Sequence, residues 1–159
     1  MKDNWESKLE GWKKLFESGE ILVTATSAAM ANETVNLVKD GFRTETDPYG
    51  KRWKPKKRRD GRKTLSGETS QLKSGWHVRK NSKAGFLIAP TVAYAAYHQA
   101  PRRTSRLPRR MMVPRGGKLP KPWSDALKEV AVEVARAFYS TKGRAPAKPR
   151  VKKRTRRSK

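Results

Sequence analysis

The stretch that decides this fold is Asp47-Pro48-Tyr49-Gly50-Lys51-Arg52-Trp53, a tight turn that ends in a large aromatic side chain. Proline suits the second position of such a turn and glycine the fourth. Before the turn, residues 42–46 alternate in the manner of a short strand. The pattern predicts a surface hairpin whose Trp53 covers the edge of the hydrophobic core.

Two helices are predicted before this turn. The first carries apolar residues at four- and three-residue steps on one face, namely Trp5, Leu9, Trp12 and Leu15. Gly19 marks a break, because glycine disfavours a helix interior. The second helical pattern covers about residues 21–38, and we expect Asp40-Gly41 to end it with turn chemistry.

The segments after the turn predict a hairpin and a last helix. Residues 75–79 and 86–89 are typical of strands, and the polar run 81–85 would connect them. Residues 92–98 fit either a short helix or an extended strand end. The clearest helical pattern covers residues 123–139, with Ser124 as its expected cap and an apolar stripe of Ala126, Leu127, Val130, Val134 and Phe138.

Composition bounds the size and class of the protein. With 159 residues, of which 35% are hydrophobic and 33% charged, the chain has room for one modest domain. We expect a single α+β domain at residues 1–141, with a basic loop at about 101–122 and a basic tail at 142–159. The absence of cysteine excludes disulfides and thiolate metal sites. No apolar run approaches the roughly 20 residues of a membrane helix, so no membrane contact is expected.

The positive charge is concentrated away from the N-terminal third. The formal net charge is +25; residues 1–41 hold 5 basic and 7 acidic side chains, and residues 42–159 hold 34 and 7. Such a density favours an anionic partner, either nucleic acid bound through its phosphates or the acidic face of a neighbouring protein. The predicted contact residues are Lys56, Lys57, Arg58, Arg59, Arg102, Arg103, Arg106, Arg109, Arg110, Arg115, Arg150, Lys152, Lys153, Arg154, Arg156 and Arg157.

Catalytic chemistry is poorly supported by the residues. A zinc site needs three or four suitable ligands and a hydrolase triad needs an oriented acid, whereas this chain has two histidines, no cysteine and few acids. We predict no catalytic, cofactor or metal-binding residue, and hence a protein that is not an enzyme. The side chain of His98 is expected to hydrogen-bond backbone, while Tyr94 and Tyr97 fill the core or an interface.

Four segments in order resemble the phage virion morphogenesis (tail-completion) family. They are residues 47–53, 66–72, 94–99 and 107–112, which match a Pro-x-Gly-x-x-Trp turn, a Gly-x-Leu step, a Tyr-Ala-x-x-His-Gln stretch and a Pro-x-Arg step. The matched scaffold positions are Pro48, Gly50, Trp53, Gly67, Leu72, Tyr94, Ala95, His98, Gln99, Pro108 and Arg110. The chain departs from the family at Ala100-Pro101, where relatives usually place glycine.

The resemblance implies a fold and a place of action. It implies an α+β fold with two N-terminal helices, a small mostly antiparallel sheet and a C-terminal helix packed on the sheet. It further implies a structural virion protein, a homo-oligomeric ring of six subunits at the tail end or head–tail junction, assembled in the host cytoplasm. Portal, connector or neck proteins and tail-tube or sheath proteins would be its partners. The alternative is a nonspecific nucleic-acid-binding protein without a ring role.

Overall fold

The computed structural model describes residues 5–56, 61–67, 69–83, 85–100 and 108–140. The described elements are helix α1 (Trp5–Thr44), helix α2 (Gln71–Ser74), strand β1 (Trp76–Ser82), strand β2 (Gly85–Pro90), helix α3 (Ala95–Gln99) and helix α4 (Lys121–Ser140). The predicted α+β class is confirmed. The predicted tail at 142–159 and the first part of the predicted basic loop, 101–107, lie outside the described residues.

One long helix replaces the two predicted at the N-terminus. Helix α1 runs unbroken for 40 residues through Gly19 and Gly41, a length of about 60 Å at 1.5 Å per residue. It ends where Glu45 adopts a left-handed φ of 58° and the Thr46 N–H bonds to the Gly41 carbonyl at 3.1 Å. This is the bond pattern of a Schellman cap. The prediction that Asp40-Gly41 ends the helix was therefore wrong.

The predicted strand at residues 42–46 also belongs mostly to α1. Phe42 is 1% exposed because the helix turns it toward the core, and a strand is not needed to bury it. Only one isolated bridge, between Thr46 and Arg52, flanks the turn that follows. The alternation in this stretch was too short to distinguish a strand from the final turn of a helix.

The two strands form the predicted antiparallel hairpin. Trp76 pairs with Pro90 and Ser82 with Gly85, and a register shift between Val78 and Lys80 makes a bulge. The strands extend further toward the turn than the sequence pattern indicated. Pro90 lies at the end of β2, where its missing N–H is tolerated.

Helix α4 packs mainly on α1 and runs antiparallel to it. Near its start, Trp123 shares a core with Phe42, whereas Ala131 and Ala135 lie beside the middle of α1. The sequence prediction places this helix on the sheet, but its main partner is α1, which in turn packs on both strands. Helix α4 also begins before Ser124, so that residue lies within the helix and not at its cap.

The core lies around the C-terminal third of α1. Its largest fully buried side chain is Phe42, and the rest of the cluster comes from α1 itself and from the segments that follow it: Val35, Val38, Trp53, Leu72, Trp76, Ala95, Met112 and Trp123. Burying a side chain of the size of Phe42 contributes about 2–3 kcal/mol. The loops after α1 and before α4 are therefore held by the core and can position side chains at this end of the molecule.

Candidate basic interface

The predicted turn forms as the sequence indicated. The Gly50 N–H bonds to the Asp47 carbonyl at 3.0 Å, and Gly50 has a φ of 82° that favours glycine. The Asp47 carboxylate accepts the N–H groups of Tyr49 at 2.9 Å and Lys51 at 2.8 Å. An aspartate that bonds backbone two residues on pre-forms a turn. The prediction of a tight turn at residues 47–50 is confirmed.

Trp53 joins this turn to the segment before α4. Its indole N–H donates to the Met111 carbonyl at 3.0 Å, and its ring meets that of Phe42 edge to face at 5.3 Å between centroids. Trp53 is 6% exposed, so the bond is sheltered. The predicted covering of the core edge by Trp53 is confirmed.

The side chain of Gln99 links the end of α3 by hydrogen bonds to the segment before α4. Its side-chain oxygen accepts the N–H of Met112 at 2.7 Å and that of Val113 at 3.2 Å. Its side-chain nitrogen donates to the Val113 carbonyl at 2.7 Å. The amide thereby satisfies three backbone groups of an irregular segment that has no strand partner of its own in the described residues.

Arg110 is buried and bonded to the backbone that follows the turn. It is 6% exposed, and its guanidinium donates to the carbonyls of Lys54 at 2.9 Å and Pro55 at 3.2 Å. Burial lowers its pKa. Its assignment to the scaffold agrees with this position, whereas its contact with nucleic acid or a partner stays a prediction.

The other scaffold positions divide into buried and exposed groups. Pro48, Leu72 and Ala95 are buried, and Pro108 is half-buried. Gly67 is exposed and has a φ of 48°. Tyr94 and Tyr97 are 44% and 47% exposed, so the expectation that they fill the core was wrong, and their assignment to an interface stays a prediction.

His98 lies half-buried between these segments. Its carbonyl accepts the Arg110 N–H at 2.9 Å, and its ring meets that of Tyr94 edge to face at 6.5 Å between centroids. The buried Nδ1 has no hydrogen-bond partner, so the expected side-chain bond to backbone is not found at that atom. Burial, aided by the charge of Arg110, lowers the pKa of His98. Among the described residues no group of three or more His, Asp or Glu could hold a metal ion.

The hydrogen bonds of Trp53, Gln99 and Arg110 bring basic side chains together near the C-terminal end of α1. Tyr49 donates its hydroxyl to the Arg115 carbonyl at 3.0 Å, which places the turn beside the segment before α4. Of the predicted contact residues, Arg109 and Arg115 are exposed here and Lys56 is half-buried. The remaining predicted contacts lie outside the described residues: Lys57, Arg58, Arg59, Arg102, Arg103, Arg106, Arg150, Lys152, Lys153, Arg154, Arg156 and Arg157. We call the exposed cations of the described residues within 51–63 and 109–118 the basic surface.

Sequence reasoning missed several members of this surface. The exposed cations that it did not name lie in the same two segments: Lys51, Arg52, Lys54, Arg62, Lys63 and Lys118. Lys54, Arg62 and Lys63 lie in the nearly all-basic stretch 54–63, which the sequence predicts as an exposed loop, but only its central residues 56–59 are named as contacts. Lys51 and Arg52 precede Trp53, and Lys118 follows two glycines. The Lys63 ammonium donates to the Arg43 carbonyl at 2.6 Å, where a cation complements the C-terminal end of a helix.

Two nearby acids of the described residues are occupied by backbone donors. Asp47 accepts the two N–H groups of the turn, and a Glu45 carboxylate oxygen accepts the Thr64 N–H at 2.6 Å. That backbone bond is the main cause of the lowered pKa of Glu45. The exposed cations of the basic surface outnumber these two carboxylates, and the resulting positive surface favours an anionic partner.

None of the described helices is long and apolar enough to cross a membrane. No protein-family model, curated protein or solved structure matches this chain.

Proposed function

We propose that this protein is a structural virion protein of a tailed phage or prophage, which forms a ring at the tail end or neck and joins tail to head. The observation that carries the proposal is the mutual bonding of the segments that resemble the tail-completion family. Trp53 bonds to Met111, Gln99 to Met112 and Val113, and Arg110 to the backbone after the turn. Three of the four segments are thus bonded to one another, and this mutual bonding supports the proposal.

The basic surface supplies the contacts that this role needs. Its cations would bind the phosphates of DNA passing through the ring, or the acidic face of a neighbouring portal, neck or tail-tube protein. Phosphate contacts release counterions and read no sequence, which suits a protein that must accept any packaged genome. Arg109 and Arg115 have the exposure that such contacts require.

Deletion of the gene in the phage or prophage that encodes this chain tests the proposal. We expect particles from the deletion strain to separate into filled heads and free tails under the electron microscope, with joining restored by the wild-type gene in trans. A matched complementation with the Gln99→Ala variant should restore less joining, because the scaffold is weakened. Intact infectious particles from the deletion strain would rule out the joining role.

The second candidate is a nonspecific nucleic-acid-binding protein without a ring role, which the basic surface alone favours. It predicts tight binding to duplex DNA of any sequence, with an affinity that falls steeply as salt rises. It also predicts no ring-sized particle at any protein concentration. Binding measured over a salt series, with sedimentation of the same samples, separates the two candidates.

A further inference from the structure

Helix α1 carries a stripe of mostly apolar residues with the spacing of a coiled-coil seam. Steps of four and three residues alternate without interruption over more than three heptads. We call this stripe the α1 seam: Trp5, Leu9, Trp12, Phe16, Gly19, Val23, Thr26 and Met30. A strict seven-residue repeat on one helix predicts pairing with another helix along that line.

The seam is open to solvent at several positions along its length. Leu9 is 46%, Phe16 67% and Val23 49% exposed. Because α4 runs antiparallel to α1 and Ala135 lies near the middle of α1, the N-terminal turns of α1 extend past the described end of α4 at Ser140. Exposed large apolar side chains in one line along a helix mark an interaction site.

The C-terminal half of the seam lies in a groove of about 540 Å³ between α1, β2 and α4. Val23, Thr26 and Met30 form one wall, and Phe86 lines the groove on the side of the sheet. Ala131 and Ala135 of α4 line the same space, and their short side chains leave room for the large residues of an incoming helix. An apolar groove of this size suits the docking of an amphipathic helix.

We propose that the groove is occupied by the N-terminal half of α1 from a second copy of this chain, in an antiparallel pair. In this register each large residue in the N-terminal half of one copy faces a smaller residue of the other copy. The facing positions are 5 and 30, 9 and 26, 12 and 23, and 16 and 19. At Gly19 a side chain would meet no atom within 4 Å, so the space beside this residue is open. Parallel pairing instead sets Phe16 on Phe16 and leaves a gap at Gly19.

Charges beside the seam favour the same register. Lys13 and Glu20 occupy equivalent flanking positions of the heptad, and the antiparallel register sets Lys13 of each copy opposite Glu20 of the other. A slip by one heptad sets Glu20 against Glu20 or Lys13 against Lys13, which is repulsive. Both side chains are on the surface, where Glu20 already contacts Lys83 at 2.6 Å and Lys13 contacts Glu10 at 3.7 Å. The charge pattern thus selects the partner's direction and register.

This pairing does not rest on the proposed function. A twofold contact closes on itself in a pair and does not propagate around a ring. The α1 seam also lies away from the basic surface, which is at the other end of α1. Failure of the pairing would leave the joining role untouched, and failure of the joining role would leave the pairing untouched.

Disulfide trapping tests the pairing, because the natural chain has no cysteine. In the proposed register Leu9 and Thr26 of different copies are adjacent, whereas within one helix they lie about 17 residues and about 25 Å apart. A mixture of the Leu9→Cys and Thr26→Cys variants should form a cross-linked pair under mild oxidation, while each variant alone should not. The double variant should give a closed pair and no longer species.

Several outcomes would overturn the proposal. Cross-linking of Leu9→Cys with itself would show parallel pairing, and a ladder from the double variant would show a contact that propagates. Sedimentation of the full chain at high salt gives an independent reading: we expect the wild type to contain twice as many chains per particle as Val23→Glu. Asn32→Glu is the matched control, because Asn32 is exposed on the side of α1 opposite the seam, and this variant should keep the particle mass of the wild type. A monomeric wild type that does not cross-link would refute the pairing.

Discussion

Replacing Gln99 with alanine should destabilise the protein more than its half-buried position suggests. The side-chain amide satisfies the N–H groups of Met112 and Val113 and the Val113 carbonyl, at 2.7, 3.2 and 2.7 Å. Each such bond contributes about 1 kcal/mol, and a buried backbone group left without a partner costs about 1–3 kcal/mol. Met112 is 2% exposed, so water does not easily replace the lost partner. We expect a loss of about 2–4 kcal/mol in the free energy of unfolding.

Urea denaturation at fixed protein concentration measures this loss. Gln71→Ala is the matched control, since Gln71 is exposed in the short helix α2, and it should change the free energy of unfolding by less than about 0.5 kcal/mol. Gln99→Glu keeps the acceptor but loses the donor and places a carboxylate beside the Val113 carbonyl, so it should not recover wild-type stability. A loss below about 1 kcal/mol for Gln99→Ala would refute the view that one amide holds this segment.

Three further predictions concern the same region. Trp53→Phe should keep the edge contact with Phe42 but lose the hydrogen bond to the Met111 carbonyl. We expect the free energy of unfolding, measured by urea denaturation, to fall by about 1–2 kcal/mol. An unchanged urea midpoint would contradict this prediction. The pKa of His98 is lowered in the folded state from its usual 6.5, so the unfolded state binds more protons just below pH 6.5. The free energy of unfolding should therefore decrease as the pH falls through 6.5. His98→Asn should remove this part of the pH dependence, as measured by thermal unfolding over a pH series. Changing Arg109 and Arg115 to glutamate should leave the unfolding midpoint nearly unchanged and reduce the salt dependence of DNA or partner binding, whereas an unaltered salt slope would place the contact elsewhere.

The local elements of this fold could be predicted where turn chemistry and periodicity agree. Asp47, Pro48 and Gly50 each favour the same turn, and the structure has it. The strand patterns around Trp76 and Phe86 and the apolar stripe of α4 were likewise long enough to be unambiguous. In these segments the local preference and the tertiary contacts point to the same structure.

The continuity of α1 could not be predicted from the sequence. Gly19 and Gly41 each cost a helix about 1 kcal/mol relative to alanine. That cost is offset by neighbouring turns and, at Gly41, by packing of Phe42 into the core. The true end of the helix depends on a left-handed Glu45 that is held by bonds from Thr64 and Trp53, residues distant in sequence.

The membership of the basic surface could be predicted only in part. A run of arginines marks charge density, yet it does not reveal which guanidinium is buried. The Arg110 guanidinium donates hydrogen bonds to the carbonyls of Lys54 and Pro55, which lie 56 and 55 residues away. Residue spacing in the sequence does not predict hydrogen bonds over such a separation. Arg109, the adjacent residue, is exposed and remains a candidate contact.

Locating the chain in the assembled particle tests the central proposal most directly. We expect cryo-electron microscopy of virions from the phage or prophage that encodes it to show a ring of this fold at the head–tail junction or tail end. The basic surface should face DNA or an acidic neighbour in that ring. Purified, infectious virions that contain none of this chain would contradict the account.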